Sequence, residues 1–135
     1  MCKNFPKYIY DSDIFEMIKR YKIYGDKAEV FFREDLIKYR FPEIKGEKLF
    51  SELYIWMELT RNKKMRFINE GIYYCEYLNE GYTKNFSLLL QNNIKGMEMY
   101  YKKITLESRF GFLFRIRALY RLLQVLLIKK LRLKL

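Results

Sequence analysis

Residues 109–135 form the stretch whose pattern leaves the fewest structural choices. Apolar side chains recur at Leu113, Ile116, Leu119, Tyr120, Leu123, Leu126 and Leu127, the spacing of a helix with an apolar side. Arg115, Arg117, Arg121, Lys129, Lys130, Arg132 and Lys134 lie around and beyond that side. A basic amphipathic helix of this kind suits an anionic membrane surface, where apolar burial and charge attraction add. Arg115, Arg117, Arg121, Lys129 and Lys130 are the residues expected to bind such a surface. The same pattern also fits a helix packed on its own domain, or on a partner helix, with a solvated basic rim.

Charge is concentrated in this tail. The net charge is +11, yet residues 109–135 hold eight Lys or Arg and no Asp or Glu, while residues 1–108 hold 19 basic and 16 acidic residues. That contrast divides the chain into a domain over 1–108 and a basic C-terminal helix over 109–135. Charge alone does not point to nucleic acid, because no recognition motif or platform of interleaved aromatic and basic residues accompanies it.

At 135 residues, half of them apolar and 19% aromatic, the chain has the composition of one small folded domain. Cys2 and Cys75 form no CxxC pair and the chain has no histidine, which excludes the common zinc patterns and any Cys-His or Ser-His nucleophile. Two unpatterned cysteines suit a reducing compartment, with a single disulfide left open. Residues 1–10 are polar and contain Pro6, so no signal peptide is expected. No run reaches 18 uncharged apolar residues, so no membrane-spanning helix is expected. These features predict a cytoplasmic protein, peripheral at the inner face of the membrane.

Residues 46–64, GEKLFSELYIWMELTRNKK, carry the candidate chemistry. Leu53, Trp56, Met57 and Thr60 recur at helical spacing, with Ser51 as a candidate N-cap. Glu52 falls in the first turn, where the helix dipole favours a carboxylate. An ordinary helix start has the same features. Upstream, residues 28–32 read as a strand and residues 33–39 as a short helix ended before Pro42. Glu34 and Asp35 form a second acidic pair, read as a solvated helix start. Residues 65–68 and 72–78 are strand candidates split at Glu70-Gly71, and residues 83–90 and 94–106 read as helices broken at Asn92-Asn93. Tyr73, Tyr74 and Tyr77 suit either a half-buried strand or a cleft that stacks on sugar rings.

The order of these features resembles the acceptor-side half of family 2 glycosyltransferases. A strand ending in Phe32-Arg33 is followed by a short helix, then Phe41-Pro42-Glu43-Ile44, a loop, and the helix start at Ser51-Glu52-Leu53. A basic turn, a β segment through Glu70 and the tyrosine-rich residues 71–77 complete the order. The resemblance implies an α/β, partial GT-A-like fold: a small remnant β-sheet with helices, followed by C-terminal helices. It implies transfer of a sugar from a nucleotide-sugar to an acceptor hydroxyl in bacterial envelope or capsular glycan synthesis. Glu52 stands where the family's catalytic Asp stands, one methylene longer, with Ser51 in place of the family's Glu. Tyr74, Glu76 and Trp56 are the implied acceptor-binding residues, although Trp56 is better suited to packing.

Asp11-Ser12-Asp13 spells the family's metal-binding D-x-D, but only ten residues precede it, and a helix cap at Asp11 or Ser12 explains it better. The family often carries a metal-holding histidine near the position of Tyr74 to Glu76, and none is present here. No metal or other cofactor is therefore assigned to this chain, although the family commonly uses a divalent metal with its nucleotide-sugar donor. The expected partners are a glycan or lipid-linked acceptor, a membrane surface, and a separate donor-binding half, without which the chain is expected to be inactive. The alternative reading is a non-catalytic basic module that binds anionic membrane or a partner protein through residues 109–135.

Overall fold

The computed structural model describes residues 5, 11–22, 27–70, 74, 76 and 85–132. The described chain is mostly helical with a small two-stranded antiparallel sheet. It divides into two compact units, one formed by Met1–Arg40 with Ile55–Glu76 and the other by Phe41–Tyr54 with Tyr77–Leu135.

In the first unit, β1 (Asp11–Ser12) pairs with β2 (Met65–Arg66), Asp11 opposite Arg66 and Ser12 opposite Met65. The Arg66 guanidinium grips the Asp11 carboxylate with bonds of 2.8 and 2.7 Å. α1 (Ile14–Lys19) follows at once. Its N-cap is Asp13, not Asp11 or Ser12: the Asp13 carboxylate accepts from the Glu16 N–H at 2.8 Å. Ser12 instead donates its hydroxyl to the Glu16 side chain. Ser12 and Asp13 of the apparent D-x-D are thus used in starting α1, and Asp11 in pairing with Arg66. Met17 and Phe67 form a small buried core with Phe5, Tyr21 and Met65 against it, the Phe5 and Phe67 rings 4.9 Å apart.

Residues 28–32 differ from expectation. Exposure alternates along them as in a strand, but they pair with no strand among the described residues. Val30 and Phe32 are 85% and 78% exposed. The β-branched and aromatic composition gives an extended backbone; a ladder also needs a neighbour. α2 (Arg33–Lys38) starts directly afterwards and stops before Pro42, as expected. Its Asp35 is not simply solvated, because Lys63 bonds it at 2.6 Å. Of the tyrosine-rich strand expected over 72–78, only Tyr74 and Glu76 are among the described residues, and neither is in a strand.

The second unit contains α4 (Phe86–Asn92), α5 (Ile94–Leu106) and α6 (Phe112–Arg132). The break at Asn92-Asn93 falls where the sequence places it. Leu89, Leu90, Met97 and Val125 form the core, with Phe86, Ile94, Tyr100, Tyr101 and Ile128 packed around it. Each such side chain contributes roughly 1.5–3 kcal/mol on full burial. α6 buries Ala118 and Val125, whereas the periodic series through Leu113, Ile116, Leu119, Tyr120, Leu123, Leu126 and Leu127 is the exposed side. No described helix is long and apolar enough to cross a membrane.

Candidate functional site

The segment carrying Glu52 is fastened to the helices of its own unit by an exchange of caps. Asn93 precedes α5 in the N-cap position, yet its side chain makes no cap bond to that helix. Its carbonyl oxygen accepts from the Lys48 and Leu49 N–H groups at 3.0 and 2.9 Å, and its amide donates to the Leu89 carbonyl at 2.9 Å. Glu47 supplies what Asn93 does not. The two oxygens of its carboxylate accept the Lys95 and Gly96 N–H groups, each at 2.8 Å. These are free donors of the first turn of α5, and an ionised carboxylate there gains from both charge-assisted bonding and the helix dipole.

Gly96 permits this approach. A Cβ at that position would lie 3.1 Å from Glu47 Oε2 and 3.1 Å from Phe50 Cδ2. Gly46 has φ +85°, the left-handed region that favours glycine, just before the Glu47 clamp. On the far side of Glu52, Lys103 donates to the Tyr54 carbonyl at 2.9 Å and lies 3.7 Å from the centre of the Tyr54 ring. The Tyr54 ring also meets Phe50 edge-on at 4.9 Å. Ser51 is hydrogen-bonded to Tyr100; burial pushes the Tyr100 hydroxyl's pKa up, and this bond moderates the rise. The Tyr54 N–H bonds the Ser51 carbonyl at 3.1 Å, and α3 (Leu53–Leu59) begins there.

Glu52 is exposed. Its side chain makes no hydrogen bond or ion pair among the described residues, while both flanks of the segment are held. Residues 42–45 and 47–50 line an open hollow of about 520 Å³, ending two residues before Glu52 in the chain. Such a carboxylate can accept a proton or hydrogen bond without breaking an internal pair.

The other expected site residues do not gather around Glu52 within this unit. Trp56, Tyr74 and Glu76 belong to the first unit. Trp56 is half-buried and packs against Phe31, ring centres 6.1 Å apart. α3 buries Ile55, Met57 and Leu59, so its inner side only partly follows the Leu53, Trp56, Met57 and Thr60 series. Tyr74 and Glu76 are exposed. No group of acidic or cysteine side chains among the described residues is arranged to hold a metal ion.

The tail cations separate into two sets. Arg115 donates to the Thr105 carbonyl at 2.9 Å, Arg121 lies 4.8 Å from the Phe86 ring centre and bonds Gln124, and Lys129 pairs with Glu98 at 2.6 Å. Arg117, Lys130 and Arg132 are exposed, and their side chains have no partner among the described residues. Asn93 and Glu47 are the positioning residues that sequence reasoning passes over. A polar residue at a helix break and a carboxylate after Gly46 were the available signals, but the bonds join residues 44 to 49 positions apart. No protein-family model, curated protein or solved structure matches the chain.

Proposed function

We propose that this chain is the acceptor-side half of a family 2-like glycosyltransferase, with Glu52 as the general base. In this reading Glu52 takes the proton from an acceptor hydroxyl as that oxygen attacks the anomeric carbon of a nucleotide-sugar, and the nucleoside diphosphate leaves. A donor-binding half, supplied from outside residues 1–135, holds the nucleotide. The acceptor is a glycan or a lipid-linked sugar.

One observation carries most weight: Glu52 is an exposed carboxylate without a partner among the described residues, on a segment fixed by the Glu47, Asn93 and Lys103 bonds. A base works through geometry before pKa, and a held backbone gives a charged side chain a defined reach. The order of features over residues 28–77 supplies the reaction class.

The test is sugar transfer by the chain combined with the donor-binding half of a family 2 enzyme. Glu52→Gln lowers turnover on the order of 10²–10⁴-fold, the usual range for loss of a general base, while Glu52→Asp, with the family's side chain, retains transfer. Turnover by Glu52→Gln equal to the parent protein rejects the assignment.

A further inference from the structure

The outward side of α6 presents an apolar arc that the core does not use. Leu113, Ile116, Tyr120, Leu123 and Leu127 follow alternating steps of three and four residues, which keeps them on one side of a helix. Leu113, Tyr120, Leu123 and Leu127 are between 56% and 71% exposed, and Ile116 is 45% exposed. Ala118 and Val125, the buried residues, lie about 160° around the axis from Ile116 and Leu123. From Leu113 to Leu127 the arc is about 21 Å long at the helical rise.

The charges around this arc favour one kind of occupant. Arg115, Arg121 and Lys129 are engaged within the unit, as described above, whereas exposed Arg117 and Lys130, which flank the arc, have no partner among the described residues. No Asp or Glu occurs after Glu107. A second copy of the same face would bring cations to cations with no acid to offset them. We infer that the outward side of α6 docks on an anionic lipid bilayer, with Leu113, Ile116, Tyr120, Leu123 and Leu127 seated at the acyl boundary and Arg117 and Lys130 among the headgroups.

The inference rests on the geometry of α6 and does not require glycosyl transfer. It also changes which cations matter, since three of the five expected at a membrane are engaged within the unit. Lying in the interface needs less apolar length than crossing the bilayer, which agrees with the absence of a spanning helix among the described residues.

Flotation of the full chain with phosphatidylcholine vesicles, with and without phosphatidylglycerol, tests it. The chain is expected to float with the anionic vesicles, and salt is expected to weaken that binding. Ile116→Glu with Leu123→Glu abolishes flotation while the circular dichroism spectrum is unchanged, because both side chains already face solvent. Arg117→Gln with Lys130→Gln lowers partitioning by about 25-fold, roughly fivefold per cation. The same neutralisation at Arg121, whose guanidinium faces Phe86, leaves vesicle binding within about twofold where the fold is retained. Equal binding to neutral and anionic vesicles, or none to either, overturns the inference. A lipid-free dimer in sedimentation equilibrium that the Ile116→Glu, Leu123→Glu pair dissociates also overturns it, by making a second copy the occupant.

Discussion

Replacing Asn93 with alanine tests the attachment of the 47–54 segment at its most buried point. Asn93 is 3% exposed, and its side chain serves three backbone groups: the Lys48 N–H, the Leu49 N–H and the Leu89 carbonyl. Alanine removes all three bonds and leaves no polar atom in their place. Two partly buried donors left unsatisfied cost about 1 kcal/mol each at the low end, and the lost Leu89 bond costs about 1 kcal/mol more. The expected destabilisation is therefore about 3 kcal/mol. For a chain of this size that corresponds to a fall in Tm of about 12 °C, at roughly 4 °C per kcal/mol. Thermal unfolding followed by circular dichroism at 222 nm measures the fall. Amide hydrogen exchange locates it, since the Lys48 and Leu49 N–H groups should be protected in the parent protein and exchange rapidly in the variant. A Tm within about 3 °C of the parent, with both amides still protected, would refute the role given to Asn93.

Three further outcomes follow from the same contacts. Gly96→Ala should be destabilising by about 1 kcal/mol in thermal unfolding, although alanine is the better helix former by about that amount, because the new Cβ meets Glu47 Oε2 and Phe50 Cδ2 at 3.1 Å each. The bond from Arg66 holds the Asp11 carboxyl below its ordinary value of 3.8. Its contribution to stability is thus complete above that value and is lost as pH falls through the lower folded-state value; an NMR titration should show a depressed midpoint that moves back up in Arg66→Gln. Burial, with Tyr100 nearby, pushes the Tyr101 hydroxyl up to about 12. Its stabilising effect is complete below pH 10 and is lost as pH rises towards 12. Absorbance at 295 nm should show late phenol ionisation that is reduced by one group in Tyr101→Phe.

Much of the local structure was legible in the sequence where a single residue forces the outcome. Pro42 limits α2, and Asn92-Asn93 divides α4 from α5. Longer-range choices were not legible. α6 has apolar residues on both sides, so periodicity establishes a helix without saying whether Val125 or Leu123 faces the core. The smaller Ala118 and Val125 are inside because α5 packs there, and tertiary packing decides a matter that hydrophobicity leaves open. Residues 28–32 show the limit of strand propensity, since alternation is present and a pairing partner is absent among the described residues. Glu52 could be singled out from its place in the order of features. The clamps that position it could not, because Glu47 and Asn93 act on backbone groups far away in the chain.

The most direct test of the functional account is the pH–rate profile of sugar transfer by the chain combined with a donor-binding half. A carboxylate base must be ionised to accept the acceptor proton, so the parent protein should lose activity on an acid limb. If Glu52 is that base, Glu52→Asp retains the limb, whereas Glu52→Gln has a low residual rate from which the limb has disappeared. An undiminished rate in Glu52→Gln, with the same acid limb as the parent, would contradict the account and place the base elsewhere.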